Sequence, residues 1–131
     1  MSLTVSPLAP KSQPQMPDVE GFRLSTTNIG GFYGGRANVL LLEADEGSAI
    51  AGVFTKNNVS GAPVAWTKNV ARKGMVRGLL VNAGNANVAL GKAGTEAAKS
   101  KAEGVAKLFS CQADRIALAS TGVIGAPLDP Q

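Results

Sequence analysis

Short apolar runs broken by glycine and asparagine, then one longer stretch with helical spacing, set the pattern of this chain. Residues 38–43 form an apolar run suited to a buried strand. A turn of Asp45, Glu46, Gly47 and Ser48 follows, then a second apolar run at 49–54, which is the spacing of an antiparallel hairpin. Pro63 lacks a backbone donor and favours an edge or a turn, so residues 64–66 read as a short strand. In residues 75–81, Leu79, Leu80 and Val81 make a strand apolar enough to be covered on both faces. A helix opens within residues 91–94 and runs to about Phe109, because Ala98, Ala102, Val105 and Phe109 share one stripe. Lys99, Lys101 and Lys107 then fall on other faces, and Gly104 is a mild cost accepted for close packing. Residues 115–119 form the last strand. The fold class expected is α/β: a mixed sheet with a packed helix.

The order strand, loop, helix, strand over residues 75–119 is a strand-helix-strand unit. If its two strands are parallel, the loops after Val81 and after Ala119 emerge at one end of the sheet. That end would bring residues 82–87, with Asn82, Gly84, Asn85 and Asn87, near Thr121 and Gly122. The three asparagines can bond their own backbone and tolerate turn conformations. Residues 120–125, Ser-Thr-Gly-Val-Ile-Gly, follow an apolar strand with a small glycine-bearing turn. Backbone N–H groups that no ladder has used bind negative charge, and fixed donors of this kind stabilise the oxyanion of acyl transfer. An ordinary turn is the alternative for 120–125, and a self-bonded structural loop is the alternative for 82–87.

Composition narrows the chemistry. A chain of 131 residues with 44% hydrophobic residues fits one domain. Residues 1–20 read as a flexible proline-rich tail carrying Pro7, Pro10, Pro14 and Pro17, and residues 21–131 as the folded domain, with a glycine-rich loop at 28–35. Histidine is absent, which removes an imidazole base and any His-containing metal site, so no metal is expected. The single cysteine, Cys111, has no partner for a disulfide in the chain and no activating base; it reads as an inert thiol in a reducing, cytoplasmic setting. The net charge of +4 comes from scattered cations, with one cluster at Lys68, Arg72, Lys73 and Arg77 that reads as a solvated face. Trp66 reads as a core or edge-of-core aromatic. Lys92 lacks the full phosphate-loop pattern around it, and neither nucleic acid nor membrane is an expected partner.

Residues 52–55 (Gly-Val-Phe-Thr) with Asn57, residues 62–64 (Ala-Pro-Val), residues 81–87 (Val-Asn-Ala-Gly-Asn-Ala-Asn) and residues 120–125 together resemble the ornithine acetyltransferases. These are also called bifunctional glutamate N-acetyltransferase or amino-acid acetyltransferase, and they act in arginine biosynthesis. The resemblance runs from Gly21 to about Leu128 and implies the N-terminal part of an alpha subunit. Family members cut themselves before a threonine, which becomes the nucleophile and carries acetyl from N-acetylornithine to glutamate; some also use acetyl-coenzyme A. A threonine whose own α-amine serves as base needs no histidine. The resemblance places the oxyanion hole at Thr121 and Gly122, through the hydroxyl or amide of the first and the amide of the second. It gives Asn82, Gly84, Asn85 and Asn87 a role in positioning the substrate pocket. The family's Ala-Thr-Met cleavage motif is absent, so no nucleophile is expected in this chain; the expected partners are the rest of the alpha subunit and the beta subunit, which carries the nucleophilic threonine. Asn58 stands where arginine is common, and Ala89-Leu90 where Cys-Thr is common. No cofactor is expected beyond acetyl-coenzyme A as a possible acetyl donor, and this chain alone is expected to be inactive. The alternative is a non-catalytic, shortened relative acting as a binding or assembly module.

Overall fold

The computed structural model describes residues 6–12, 14–30 and 35–127. Four strands, β1 (Phe22–Thr27), β2 (Val39–Ala44), β3 (Gly78–Asn85) and β4 (Ile116–Val123), form one sheet in sequence order. The first two pairings are antiparallel, and β3 with β4 is parallel. A parallel neighbour requires a long crossover, which helix α2 (Gly91–Leu108) supplies. Helix α1 (Ala62–Lys73) lies between β2 and β3 in the chain and packs against β4.

The core follows from strand alternation. Leu41, Leu80 and Leu118 lie abreast across β2, β3 and β4, and all three pack with Ala98, Ala102, Val105 and Ala106 of α2 and with Ile116. Side chains two residues along a strand share a face, so Asn82 and Ser120, themselves abreast, also point under the helices. The expected stripe of α2 is therefore seen, as is Trp66 at the core edge. Leu40, Leu42, Leu79 and Val81 occupy the opposite face, where they are half-buried, beside Leu24, which is 67% exposed.

Several expectations need correction. Residues 49–54 do not pair with β2, because both edges of β2 are occupied, by β1 and by β3. Only Ala49 makes a bridge, to Met75. Residues 64–66 are helical, not a strand. Pro63 stands in the first turn of α1, where its missing N–H would have had no intrahelical partner, and Arg72, Lys73 and a left-handed Gly74 close the helix. The strand expected at 75–81 begins at Gly78 and continues to Asn85, so four of the six residues of the expected asparagine loop are strand. Gly104 faces open space; the close approach belongs to Gly94, where a Cβ would lie 2.6 Å from Asn87 Oδ1. Of the basic cluster, Lys68 and Arg72 are exposed, but Lys73 pairs with Asp114, and Arg77 is half-buried against Glu43 and the Ala44 carbonyl. Residues 31–34 of the expected glycine-rich loop, and residues 1–5 and 13 of the expected tail, lie outside the described residues.

Candidate functional site

The site is built at the C-terminal ends of β3 and β4. Their register sets Asn82 beside Ser120, Ala83 beside Thr121, and Gly84 beside Gly122, so the two stretches singled out in the sequence do meet.

Which amides remain available is decided by the outer edge of β4. Leu118 donates its N–H to Thr67 Oγ1 at 2.8 Å, and the same hydroxyl donates to the Leu118 carbonyl at 2.7 Å. Trp66 Nε1 donates to the Ile116 carbonyl at 2.8 Å. Ile116 and Leu118 thus face α1, away from β3. Because N–H and C=O of one residue point the same way and alternate along a strand, Ser120 and Gly122 face that way too. The other parity faces β3, as the bond from Ala86 N–H to the Val123 carbonyl at 3.0 Å shows. By this alternation the amide of Thr121 is directed into the ladder, leaving its exposed hydroxyl as its available donor, while the amide of the exposed Gly122 is directed to the outer edge of β4.

Glycine is required at that point. Gly122 has φ 133° and Gly84 φ 111°, and a Cβ on Gly122 would lie 2.3 Å from the Gly84 carbonyl carbon. The two backbones press together where any side chain would force them apart.

The asparagines are occupied within the chain. Asn82 Nδ2 donates to the Asn85 carbonyl at 2.9 Å, and its Oδ1 accepts from Ser120 Oγ at 2.6 Å and from Lys101 Nζ at 2.8 Å. Asn85 Oδ1 accepts the Asn87 N–H at 2.8 Å, and Asn85 Nδ2 donates to the Ala126 carbonyl. Asn87, 1% exposed and left-handed at φ 51°, donates through Nδ2 to the Gly94 carbonyl at 2.9 Å, while its buried Oδ1 has no partner among the described residues. The Asn87 carbonyl accepts from Ala62 N–H at 3.1 Å. Their side chains fasten the end of β3 to α2 and to the segment after β4.

Two contributors, Thr67 and Lys101, escaped the sequence reading, and a third, Ser120, entered it only as the first residue of the 120–125 turn. Thr67 caps the edge of β4, Ser120 joins the asparagine network, and Lys101, expected on an outer face, is half-buried. Lys101 is three residues after Ala98 and four before Val105, so helical spacing does put it beside the apolar stripe. Burial pushes its amine below the ordinary lysine value. A cleft of about 490 Å³ lined by Met75, Arg77, Phe109, Cys111, Gln112 and Arg115 lies at the other end of the parallel strands, roughly 17 Å from Thr121 at the rise of an extended chain. Cys111 in it is half-buried, and burial pushes its thiol up, away from the reactive thiolate. Among the described residues no helix is long and apolar enough to cross a membrane.

A four-stranded mixed sheet with its helices packed on one face and a glycine-paired end to its parallel strands defines an α/β protein. The chain belongs to the ArgJ family, whose profile matches residues 23–131. It is 49% identical over 129 residues to the arginine biosynthesis bifunctional protein ArgJ of Bradyrhizobium diazoefficiens and 47% identical to that of Mesorhizobium japonicum. In both cases the match covers 98% of this chain and 31% of the relative, so the chain spans under a third of the length of these relatives. Among solved structures, the ArgJ of Bacillus halodurans superposes with a TM-score of 0.78 at 30% identity, over 83% of this chain and 57% of that one. The ornithine acetyltransferase of Mycobacterium tuberculosis, solved in complex with ornithine, gives 0.73 at 34% identity, over 83% and 60%.

Proposed function

We propose that this chain is the N-terminal part of an amino-acid N-acetyltransferase of arginine biosynthesis and supplies its oxyanion donors. In this reading a threonine on the remaining polypeptide attacks the acetyl carbonyl of N-acetylornithine. The Gly122 amide and the Thr121 hydroxyl hold the carbonyl oxygen as its negative charge grows. Ornithine departs with a proton on its amine, and the acetyl-threonine ester then passes its acetyl group to the amine of glutamate. Acetyl-coenzyme A would load the same threonine, with the thiol of coenzyme A leaving.

The observation that carries this reading is the outward Gly122 amide next to the exposed Thr121 hydroxyl, at a strand end that glycine pairing and buried asparagines hold in place. Preorganised donors cost little reorganisation when charge develops, which is why a fixed backbone suits the task. Asn82, Gly84, Asn85 and Asn87 serve as positioning residues, acting through the backbone they hold.

The test is to supply the polypeptide that carries the nucleophilic threonine and to assay acetyl transfer from N-acetylornithine to glutamate. The chain alone is expected to show no turnover, and the assembled protein to show it. Thr121→Val, which keeps the shape and deletes the hydroxyl, is expected to lower kcat by about 10²- to 10³-fold. An assembled protein without transferase activity would overturn the reading.

A further inference from the structure

We propose that Lys101 is a positioning residue which, acting through Asn82 and Ser120, holds the ends of β3 and β4 in the register that aims the Gly122 amide. The inference rests on the proposed acetyl transfer for its kinetic consequence, and on geometry alone for its structural one.

A lysine on a surface helix ordinarily extends to water, as Lys92 and Lys99 do on α2 towards Glu96 and Glu103. Lys101 instead turns under the sheet to give Asn82 Oδ1 a hydrogen bond of 2.8 Å, and among the described residues no carboxylate forms an ion pair with it. Burying that charge beside neutral groups is unfavourable, so an apolar side chain would suit the position better if packing were its whole purpose. The bond it makes sits at a junction. Asn82 Oδ1 takes both Lys101 and Ser120, two residues before Gly122 on β4. The same amide donates through Nδ2 to the Asn85 carbonyl, one residue after Gly84 on β3. β3 is thus held on both sides of Gly84, and β4 is tied to it two residues before Gly122. A cationic donor on Oδ1 polarises the amide and strengthens the bond its NH₂ group makes, so the charge stiffens the link to Asn85. Van der Waals contact between Gly84 and Gly122 then transmits a shift in either strand to the outward amide.

The test replaces Lys101 by methionine, which keeps the length and apolar stem and removes the charge and donor. In the 131-residue chain, nitrogen and proton NMR should show the Gly122 amide shifted and exchanging faster with solvent. The β1 and β2 amides should be unchanged, and the unfolding midpoint unchanged or higher. A merely structural lysine would lower the midpoint and leave the Gly122 signal of the folded form alone; that outcome overturns the proposal whether or not the chain takes part in acetyl transfer. In the assembled enzyme, Lys101→Met should lower kcat roughly 10- to 100-fold, the scale on which small misplacements act, with KM for N-acetylornithine kept. Lys101→Gln, which retains a neutral donor, should recover part of the loss. A shifted Gly122 amide with no assembled activity in the unsubstituted protein would support the positioning role and sink the acetyltransferase reading; unchanged kcat in an active assembly would sink the positioning role.

Discussion

Gly84 and Gly122 face one another across two strands with so little room that position 122 is closed to every residue with a side chain. Gly122→Ala must adopt φ 133° and place a methyl group 2.3 Å from backbone carbon. The backbone conformation alone costs about 1–3 kcal/mol, and the clash adds to it, so urea unfolding of this variant should show a loss of at least that size. The consequence reaches the design of any test of the amide. Gly122→Pro would delete the N–H, but proline fixes φ near −65° and would break the strand end instead. Replacing the Gly122 amide by an ester removes the donor without adding an atom in the crowded direction. At the same scale, the sequence shows glycine and asparagine at the site but not why each is there. Spacing cannot reveal that Gly84 and Gly122 touch, since contact depends on a register set by β2, β3 and α2 together.

Strand β4 is an edge strand whose outer groups are met by side chains of a helix, and this pairing is the least visible feature in the sequence. Thr67 both donates to and accepts from Leu118. Thr67→Val, nearly the same shape, leaves a part-buried N–H and C=O unpaired and should cost about 1–3 kcal/mol by urea unfolding. Thr67→Ser should cost distinctly less. The run containing Pro63 misleads because proline is compatible with an edge strand and with the first turn of a helix alike; the stop signals Arg72, Lys73 and Gly74 decide for the helix. By contrast, α2 was legible from its alanine stripe and the parallel pair from the strand-helix-strand order, because both depend on local periodicity. Between β1 and β2, Arg23 bonds Glu43 and Asp45 at 2.9 Å each. The bond from Arg23 holds the Glu43 carboxyl below its ordinary value. Its unfolded-state value is higher, so the folded form binds fewer protons. The contribution is therefore fully present above about pH 4.5 and lost as pH falls through the lower folded value. Urea midpoints measured down this range should fall, and Arg23→Met should flatten that part of the profile.

Across the whole molecule, the sheet has one face packed by helices and one face of Leu40, Leu42, Leu79, Val81 and Leu24 that remains half-exposed or open. A contiguous apolar patch of this kind marks a contact surface in a soluble protein. The isolated chain should bind a hydrophobic dye and self-associate as its concentration rises, by dye fluorescence and light scattering, and the assembled protein should do neither. The kinship was legible because residues 81–87 and 120–125 are contiguous stretches of sequence, and the pairing of β3 with β4 brings those two stretches together. The division between the Thr121 amide, spent in the ladder, and the Gly122 amide, left outward, was not, because only the bonds along β4 reveal its parity. That outward amide is the centre of the account. The most direct measurement is kcat for acetyl transfer by the assembled protein after ester replacement of the Gly122 N–H. A fall of about 10²- to 10³-fold with KM retained is predicted, and an undiminished kcat would contradict it.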